Sequence, residues 1–305
     1  MIKVFGHQSP DTDCTGSAIV WAWFLSHHTG AQATPYILGT LNKETEFVLA
    51  KFGVETPALL EQVSAEDTVA IVDTNNPQEL FDNINETNII QIIDHHKLVG
   101  GLETAGPIDI TIRPLASTAS VLYDLIGEET LPEPIAGILL SCILSDTLEF
   151  RSPTTTPQDK DIAETLAAQL GISIADFAAE LFAAKSDISD FTDSGLLKLD
   201  SKKFAVGDKN LRVSVIETTD PTTVLARKDG LVTAITDLIA AESDVDEVLF
   251  FIVDILNEEA TVLTYNQTVS DIIAKSFNVN VETDTEVLPG IVSRKKQILP
   301  NLKVS

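Results

Sequence analysis

Three short runs rich in valine and isoleucine, residues 2–5, 68–72 and 88–93, each end within two residues of a histidine or an aspartate. Runs this apolar, each followed by a helical pattern, read as buried strands of a parallel sheet, because covering helices leave no wet face for alternation to serve. The pattern predicts a first helix over 15–28 and a helix over 134–147 with proline near its start. Two more, over 158–170 and 174–185, close this domain. In an open α/β sheet, ligands gather beyond the carboxyl ends of the strands. All three polar endings are expected there.

The second half changes character. A polar, poorly periodic stretch, 186–195, ends in glycine and reads as a linker. After it, a hairpin around Val206-Gly207-Asp208 joins 202–205 to 211–216, and a long helix follows Pro221. Strands over 247–256 and 260–265 and a helix over 269–277 complete a smaller mixed-sheet α/β domain. A chain of 305 residues, 44% of them hydrophobic, can support two cores. The expected division is 1–187 for a metal-binding catalytic domain, 188–195 for the linker and 196–305 for a substrate-binding domain.

Charge narrows the function. A formal charge of −26 opposes binding of nucleic acid over an extended surface, which needs clustered lysine and arginine. The longest wholly apolar stretches, 18–25 and 248–253, fall short of the roughly 20 residues that span a bilayer. The N-terminus has neither an apolar signal core nor a cleavage site, so a cytoplasmic address and no membrane partner are expected. Cys14 and Cys142 are too few for a disulfide framework and read as packed free thiols.

Four segments carry chemistry. His7-Gln8-Ser9-Pro10-Asp11-Thr12-Asp13 follows the first strand; by itself it is as compatible with a capped turn as with a metal site. Asp73 follows the second strand, where it could equally cap a helix, and Asp94-His95-His96 follows the third. Adjacent histidines leaving an apolar strand have no packing purpose. Asp146 sits in the apolar helix over 134–147, where a buried carboxylate needs a partner. His7, Asp11, Asp13, Asp73, His95 and Asp146 make four carboxylates and two imidazoles, which two divalent ions would neutralise. Oxygen and imidazole donors without thiolate point to Mn²⁺, with Co²⁺, Fe²⁺ or Zn²⁺ compatible by ligand type. His27 and His28 end a helix and need no other role. Among few cations, Ser293-Arg294-Lys295-Lys296-Gln297 and Lys202-Lys203 could form the basic island that an anionic substrate requires.

These motifs, His7-x-x-x-Asp11-x-Asp13, Val72-Asp73-Thr74-Asn75, Asp94-His95-His96, Ser145-Asp146-Thr147 and Ser293-Arg294-Lys295-Lys296-Gln297, resemble those of the family II, manganese-dependent inorganic pyrophosphatases of the DHH phosphoesterase superfamily. The resemblance covers essentially the whole chain. It implies an active site between the two domains and hydrolysis of pyrophosphate to two orthophosphates by a hydroxide bridging two Mn²⁺ ions, with Co²⁺ or Mg²⁺ as substitutes and a further Mg²⁺ entering with substrate. Residues matching His7, Asp11 and Asp73 would hold one ion; those matching Asp13, Asp73, His95 and Asp146 would hold the other, with Asp73 as bridge. Asp94 would orient a ligand from behind, while His96, Lys202, Arg294 and Lys295 would grip pyrophosphate. Lys202 is preferred over Lys203 on the pattern Asp200-x-Lys202-x-Phe204. A homodimer through the first domain is also implied.

Within the superfamily the competing activity is a phosphodiesterase acting on short nucleic acids or cyclic dinucleotides. Such relatives generally carry a Gly-Gly-Gly-His motif, and no triple glycine occurs here. A non-catalytic binding protein would have lost some candidate ligands, whereas all six stand.

Overall fold

The computed structural model describes residues 1–127 and 130–304, which form two compact units, Met1–Ala184 and a second from Lys185 onward. Among the described residues, the first unit has strands β1 (Ile2–Phe5), β2 (Ala33–Ile37), β3 (Ala58–Leu59), β4 (Thr68–Val72), β5 (Asn88–Asp94) and β6 (Asp109–Ile112). They form one sheet in the order β3-β2-β1-β4-β5-β6, with every pairing parallel. Helices α1 (Thr12–His28), α2 (Lys43–Lys51), α3 (Thr118–Ile126), α4 (Glu133–Thr147), α5 (Pro157–Leu170) and α6 (Ile174–Lys185) flank it. The three runs singled out in the sequence are therefore the adjacent strands β1, β4 and β5. Phe5 pairs with Ile71 and Val72 with Ile93, so their carboxyl ends stand side by side. Val69 to Val72 have no exposure, which accounts for the unbroken apolar run.

Helix α1 begins three residues before its predicted start. The cause is Asp11, whose carboxylate accepts from the Cys14 amide at 2.9 Å and caps the helix directly after Pro10. Asp13 thus stands in a first helical turn. Both α1 and α4 are buried along most of their length, and glycine lets them meet closely. A Cβ on Gly16 would lie 2.3 Å from Cys142 Sγ, and one on Gly137 would lie 2.2 Å from the Phe52 ring just beyond α2. The Cys142 thiol donates to the Thr12 carbonyl at 3.2 Å, so the start of α1 meets α4 near the latter's C-terminal end. β2, β3 and β6 have no signal in the sequence pattern: β2 contains a proline, β3 has two residues, and β6 is a partly exposed edge.

In the second unit, α7 (Asp193–Leu196), β7 (Ser201–Val206), β8 (Lys209–Thr218), α8 (Pro221–Leu225), α9 (Lys228–Ala241), β9 (Glu247–Asp254), β10 (Glu259–Leu263), α10 (Gln267–Phe277) and β11 (Thr285–Pro289) follow in order. The described strands form a five-stranded sheet, β11-β10-β9-β8-β7, in which only β8 and β9 run parallel. This is the expected mixed sheet, and the β7–β8 hairpin turns at Gly207, whose φ is 60°. The single long helix expected after Pro221 is instead two helices, broken at Ala226-Arg227. Arg227 leaves the helical path to bind Asp193 Oδ1 from Nε at 2.8 Å and the carbonyls of Ile188 and Phe191. That clamp holds the polar stretch 188–195 within the second unit. Among the described residues no single helix is long and apolar enough to cross a membrane.

Replacing Gly16 with valine should force α1 away from α4 and lower stability by about 2 kcal/mol, the usual cost of overpacking a core. Urea unfolding would measure it. A midpoint equal to that of the wild type would show that the helices do not depend on this contact.

Candidate metal centre

The chain leaves β4 through Asp73, whose φ of 58° lies in the left-handed region that aspartate tolerates better than most residues. Its amide donates to the Ile93 carbonyl at 2.9 Å, which fixes it against β5. The carboxylate is 2% exposed, and its two oxygens face different histidines. Oδ2 lies 3.3 Å from His7 Nε2, and Oδ1 lies 3.5 Å from His95 Nε2. Asp11 Oδ2 stands 3.8 Å from the same nitrogen of His7. Thr118 Oγ1 donates to Asp73 Oδ1 at 2.9 Å and orients the group. His7, Asp11, Asp73 and His95 are thus brought together from three strand ends.

Asp94 organises the neighbouring turn. It accepts from the His95 amide at 2.8 Å, the His96 amide at 3.0 Å, His96 Nδ1 at 2.9 Å and Asn75 Nδ2 at 2.6 Å. Burial alone would raise its pKa, but the bonds from His96 and Asn75 outweigh burial and hold it below the usual carboxylate range. The same Asp94–His96 bond raises the His96 imidazole above its ordinary value. His95 Nδ1 donates to the Leu115 carbonyl at 3.1 Å, which turns Nε2 toward Asp73.

Asp13, His95 and Asp146 also converge, with ligand atoms all within 4.8 Å of one another. The start of α3 holds Asp13: Ser117 Oγ at 2.8 Å and the amides of Thr118 at 2.7 Å and Ala119 at 3.0 Å all donate to it. Ser17 Oγ adds a fourth, longer bond at 3.4 Å, but three of the four fall on Oδ1, so Oδ2, which accepts from the Thr118 amide, keeps a lone pair for a cation. Burial, then Asp13, Asp11 and Asp146 in turn, push Asp73 well above its ordinary value. Divalent cations would relieve that accumulation of charge. Oxygen and imidazole ligands about 2.1 Å from one octahedral ion stand roughly 3 Å apart, close to the separations around Asp73. The donor set therefore fits hard or borderline divalent ions.

Cys14 lies beside the centre, its thiol, His7 and Asp73 forming another such group. It packs against Gly6, where a Cβ would lie 2.5 Å from the sulfur. Burial, followed by Asp73 and Asp11, raises the Cys14 thiol far above its usual range, and burial does the same for Cys142. Both stay protonated and poorly nucleophilic.

In the second unit Arg294 donates to the Asp200 carbonyl at 2.9 Å and lies 2.7 Å from Asp200 Oδ1. This brings the cationic segment beside the strand that carries Lys202. Lys203 Nζ is committed to Asp244 at 2.8 Å and to Glu242 at 2.9 Å. Strand alternation turns Lys202 to the opposite side of β7, away from those acids. Gln297 Oε1 accepts from the amides of Val292 and Ser293, and Ser293 caps the turn that starts at Arg294, so both ends of the Ser-Arg-Lys-Lys-Gln motif shape the loop carrying Arg294 and Lys295.

Several residues around the centre escaped sequence reasoning. Ser117 precedes and Thr118 opens an apolar helix, an N-cap pattern that could have drawn notice. The carbonyl of Leu115 has no sequence signature at all. Glu44, fully buried, joins Thr12 and Ser145, and nothing in its neighbourhood marks it.

The description "DHH family, N-terminal domain" matches residues 1–144 and "DHHA2 domain" matches 179–304. The probable manganese-dependent inorganic pyrophosphatase of Deinococcus radiodurans is 39% identical over 310 residues, covering 99% of this chain and 98% of its own. That of Bacillus licheniformis is 36% identical over 304 residues, with 99% and 97% covered. The crystal structure of a candidate family II inorganic pyrophosphatase from Methanococcus jannaschii is 38% identical, covers 99% of this chain and 98% of that one, and has a TM-score of 0.64.

Because Asp73 is raised in the folded chain, metal-free protein binds more protons folded than unfolded and loses stability as pH climbs from the unfolded carboxylate value through the raised one. In chelator at neutral pH, Asp73→Asn should therefore melt higher than the wild type, while the stabilisation the wild type gains from Mn²⁺ should largely vanish. Melting curves with and without Mn²⁺ read both effects. A variant that melts lower in chelator, or that gains as much from Mn²⁺, would remove Asp73 from the centre.

Proposed function

The chain belongs to the manganese-dependent inorganic pyrophosphatases of the DHH family, a hydrolase family, and on that premise we propose that it cleaves inorganic pyrophosphate into two orthophosphates at a two-metal centre through a hydroxide held by both ions. The observation that carries the two-metal reading is Asp73, a buried carboxylate with one oxygen toward His7 and the other toward His95. In this assignment His7, Asp11 and Asp73 hold one Mn²⁺, and Asp13, Asp73, His95 and Asp146 hold the second. Co²⁺ or Mg²⁺ would serve as substitutes, and another Mg²⁺ would arrive with the substrate. When bound, such ions lower the pKa of water and offset charge on attacking and leaving oxygens.

The protein's own part is positioning, which dominates phosphoryl transfer and requires no serine or cysteine nucleophile. Asp94 fixes the turn carrying His95 and His96. His96, favoured in its protonated form by Asp94, is suited to donate to a phosphate oxygen. Lys202, Arg294 and Lys295 bind the remaining phosphate oxygens, with arginine offering a planar fork. The commitment of Lys203 to Asp244 and Glu242 supports Lys202 for this role. In this reading residues 1–187 supply the metal ligands, 188–195 the linker and 196–305 the substrate cations. The proposal includes a cytoplasmic homodimer formed through the first domain, with neither nucleic acid nor membrane as partner.

Protein stripped with chelator and given back Mn²⁺, Mg²⁺ or Zn²⁺ should release phosphate from pyrophosphate fastest with Mn²⁺ and leave a dinucleotide intact; dinucleotide cleavage without pyrophosphate hydrolysis would overturn the reading. Lys202→Ala should raise KM by about tenfold, the loss expected of one charge-assisted contact. Lys203→Ala should change it little. The reverse order would exchange the two lysines.

A further inference from the structure

Glu44 lies in the first turn of α2 and is 1% exposed. One of its oxygens, Oε2, accepts from Thr12 Oγ1 at 3.0 Å and from Ser145 Oγ at 2.8 Å. Thr12 stands between Asp11 and Asp13, and Ser145 directly precedes Asp146. A single buried carboxylate oxygen therefore ties the start of α1 to the end of α4, the two helical segments that bring Asp13 and Asp146 together at His95.

The mount of this carboxylate is itself rigid. Asn42 caps α2 by accepting from the Thr45 amide at 2.8 Å, and Val48 and Leu49 are buried. Beyond the helix, Phe52 sits over Gly137 of α4, so α2 and α4 are held at a fixed approach two turns before Ser145. Lys51 pairs with Glu180 of α6 and anchors the other end of α2. A buried carboxylate is costly to desolvate and is poorly suited to serve as mere packing. Hydroxyl donors on both ligand-bearing segments give it a geometric task instead.

We propose that Glu44 is a positioning residue of the metal centre, clamping Thr12 to Ser145 and so setting the separation of Asp13 and Asp146 around the second ion. The inference rests on the ligand assignment of the preceding subsection. Loss of a partner behind a ligand typically weakens metal binding about 10- to 100-fold. The clamp acts through hydroxyl donors, so an amide oxygen in the same place performs it as well as a carboxylate.

Titration of metal-free protein with Mn²⁺ alone, followed by calorimetry and by the electron paramagnetic resonance of unbound Mn²⁺, separates the possibilities. Glu44→Ala should weaken one of the two binding events, the one that Asp146→Asn also weakens, at least about tenfold, and Glu44→Gln should restore it to within about threefold of the wild type. Thr12→Val and Ser145→Ala, which need not disturb α2, should each weaken that event, and their combination should add little to Glu44→Ala. A purely structural role would lower the melting temperature of all these variants without this pattern in Mn²⁺ affinity. Wild-type affinity in Glu44→Ala, or a Glu44→Gln variant as weak as Glu44→Ala, would overturn the clamp. Asp146→Asn is the control: if it too binds Mn²⁺ normally, the ligand assignment fails, whereas a weakened Asp146→Asn beside an unaffected Glu44→Ala removes only the role of Glu44.

Discussion

The crowding of carboxylates around one buried aspartate governs the first unit. Asp73 is held by β4 and β5 where Asp11, Asp13 and Asp146 all raise the cost of its charge. A chain left to minimise its own electrostatics would disperse these groups. That they meet requires a scaffold stable enough to absorb the repulsion, and a parallel sheet buried on both faces, with α1 and α4 packed through Gly16, supplies one.

The same scaffold limits the repulsion with neutral donors. Asp13 receives a hydroxyl and two amides from the start of α3, where the helix dipole favours a negative charge. Thr118 contributes its amide to Asp13 and its hydroxyl to Asp73, so one residue sets the spacing of two acids. Asp94 is satisfied by four donors and in return fixes the His96 imidazole and the backbone turn that carries His95. Apart from His96, whose imidazole Asp94 favours in its protonated form, these contacts bring no compensating full charge into the pocket. The charge that these arranged acids accumulate, which pushes Asp73 above its ordinary value, is what divalent cations would relieve.

The parts of this arrangement legible in the sequence were those tied to chain position. A strand that ends in a polar residue announces where that residue will stand, so β1, β4 and β5, with His7, Asp73, His95 and His96 at their ends, followed from hydrophobic pattern and from the rule that ligands gather at carboxyl ends. The start of α1 lies earlier than the pattern predicts because Asp11 is at once a candidate ligand and a helix cap, and the pattern alone does not say that one residue serves both positions. The break between α8 and α9 was hidden for a different reason: Arg227 is an ordinary helix former, and it ends α8 only because Asp193 and two carbonyls far back in the chain capture it. Leu115, Thr118 and Glu44 present a carbonyl, a hydroxyl and a carboxylate that look like any others until the fold sets them beside candidate ligands or their chain neighbours.

The cationic segment makes the same point about motifs. Ser293-Arg294-Lys295-Lys296-Gln297 reads as a charge run, yet its two uncharged ends shape the loop: Gln297 binds back to two amides and to the Gly290 carbonyl, and Ser293 caps the turn. Arg294 is then drawn to Asp200, the residue that opens the Asp-x-Lys-x-Phe pattern. Two motifs nearly a hundred residues apart are thereby one local structure within the second unit, and strand alternation decides which lysine of the pair is left clear of Asp244 and Glu242. Spacing along the chain therefore selects between chemically identical neighbours: Lys202 and Lys203 differ in surroundings, and only the parity of β7 separates them.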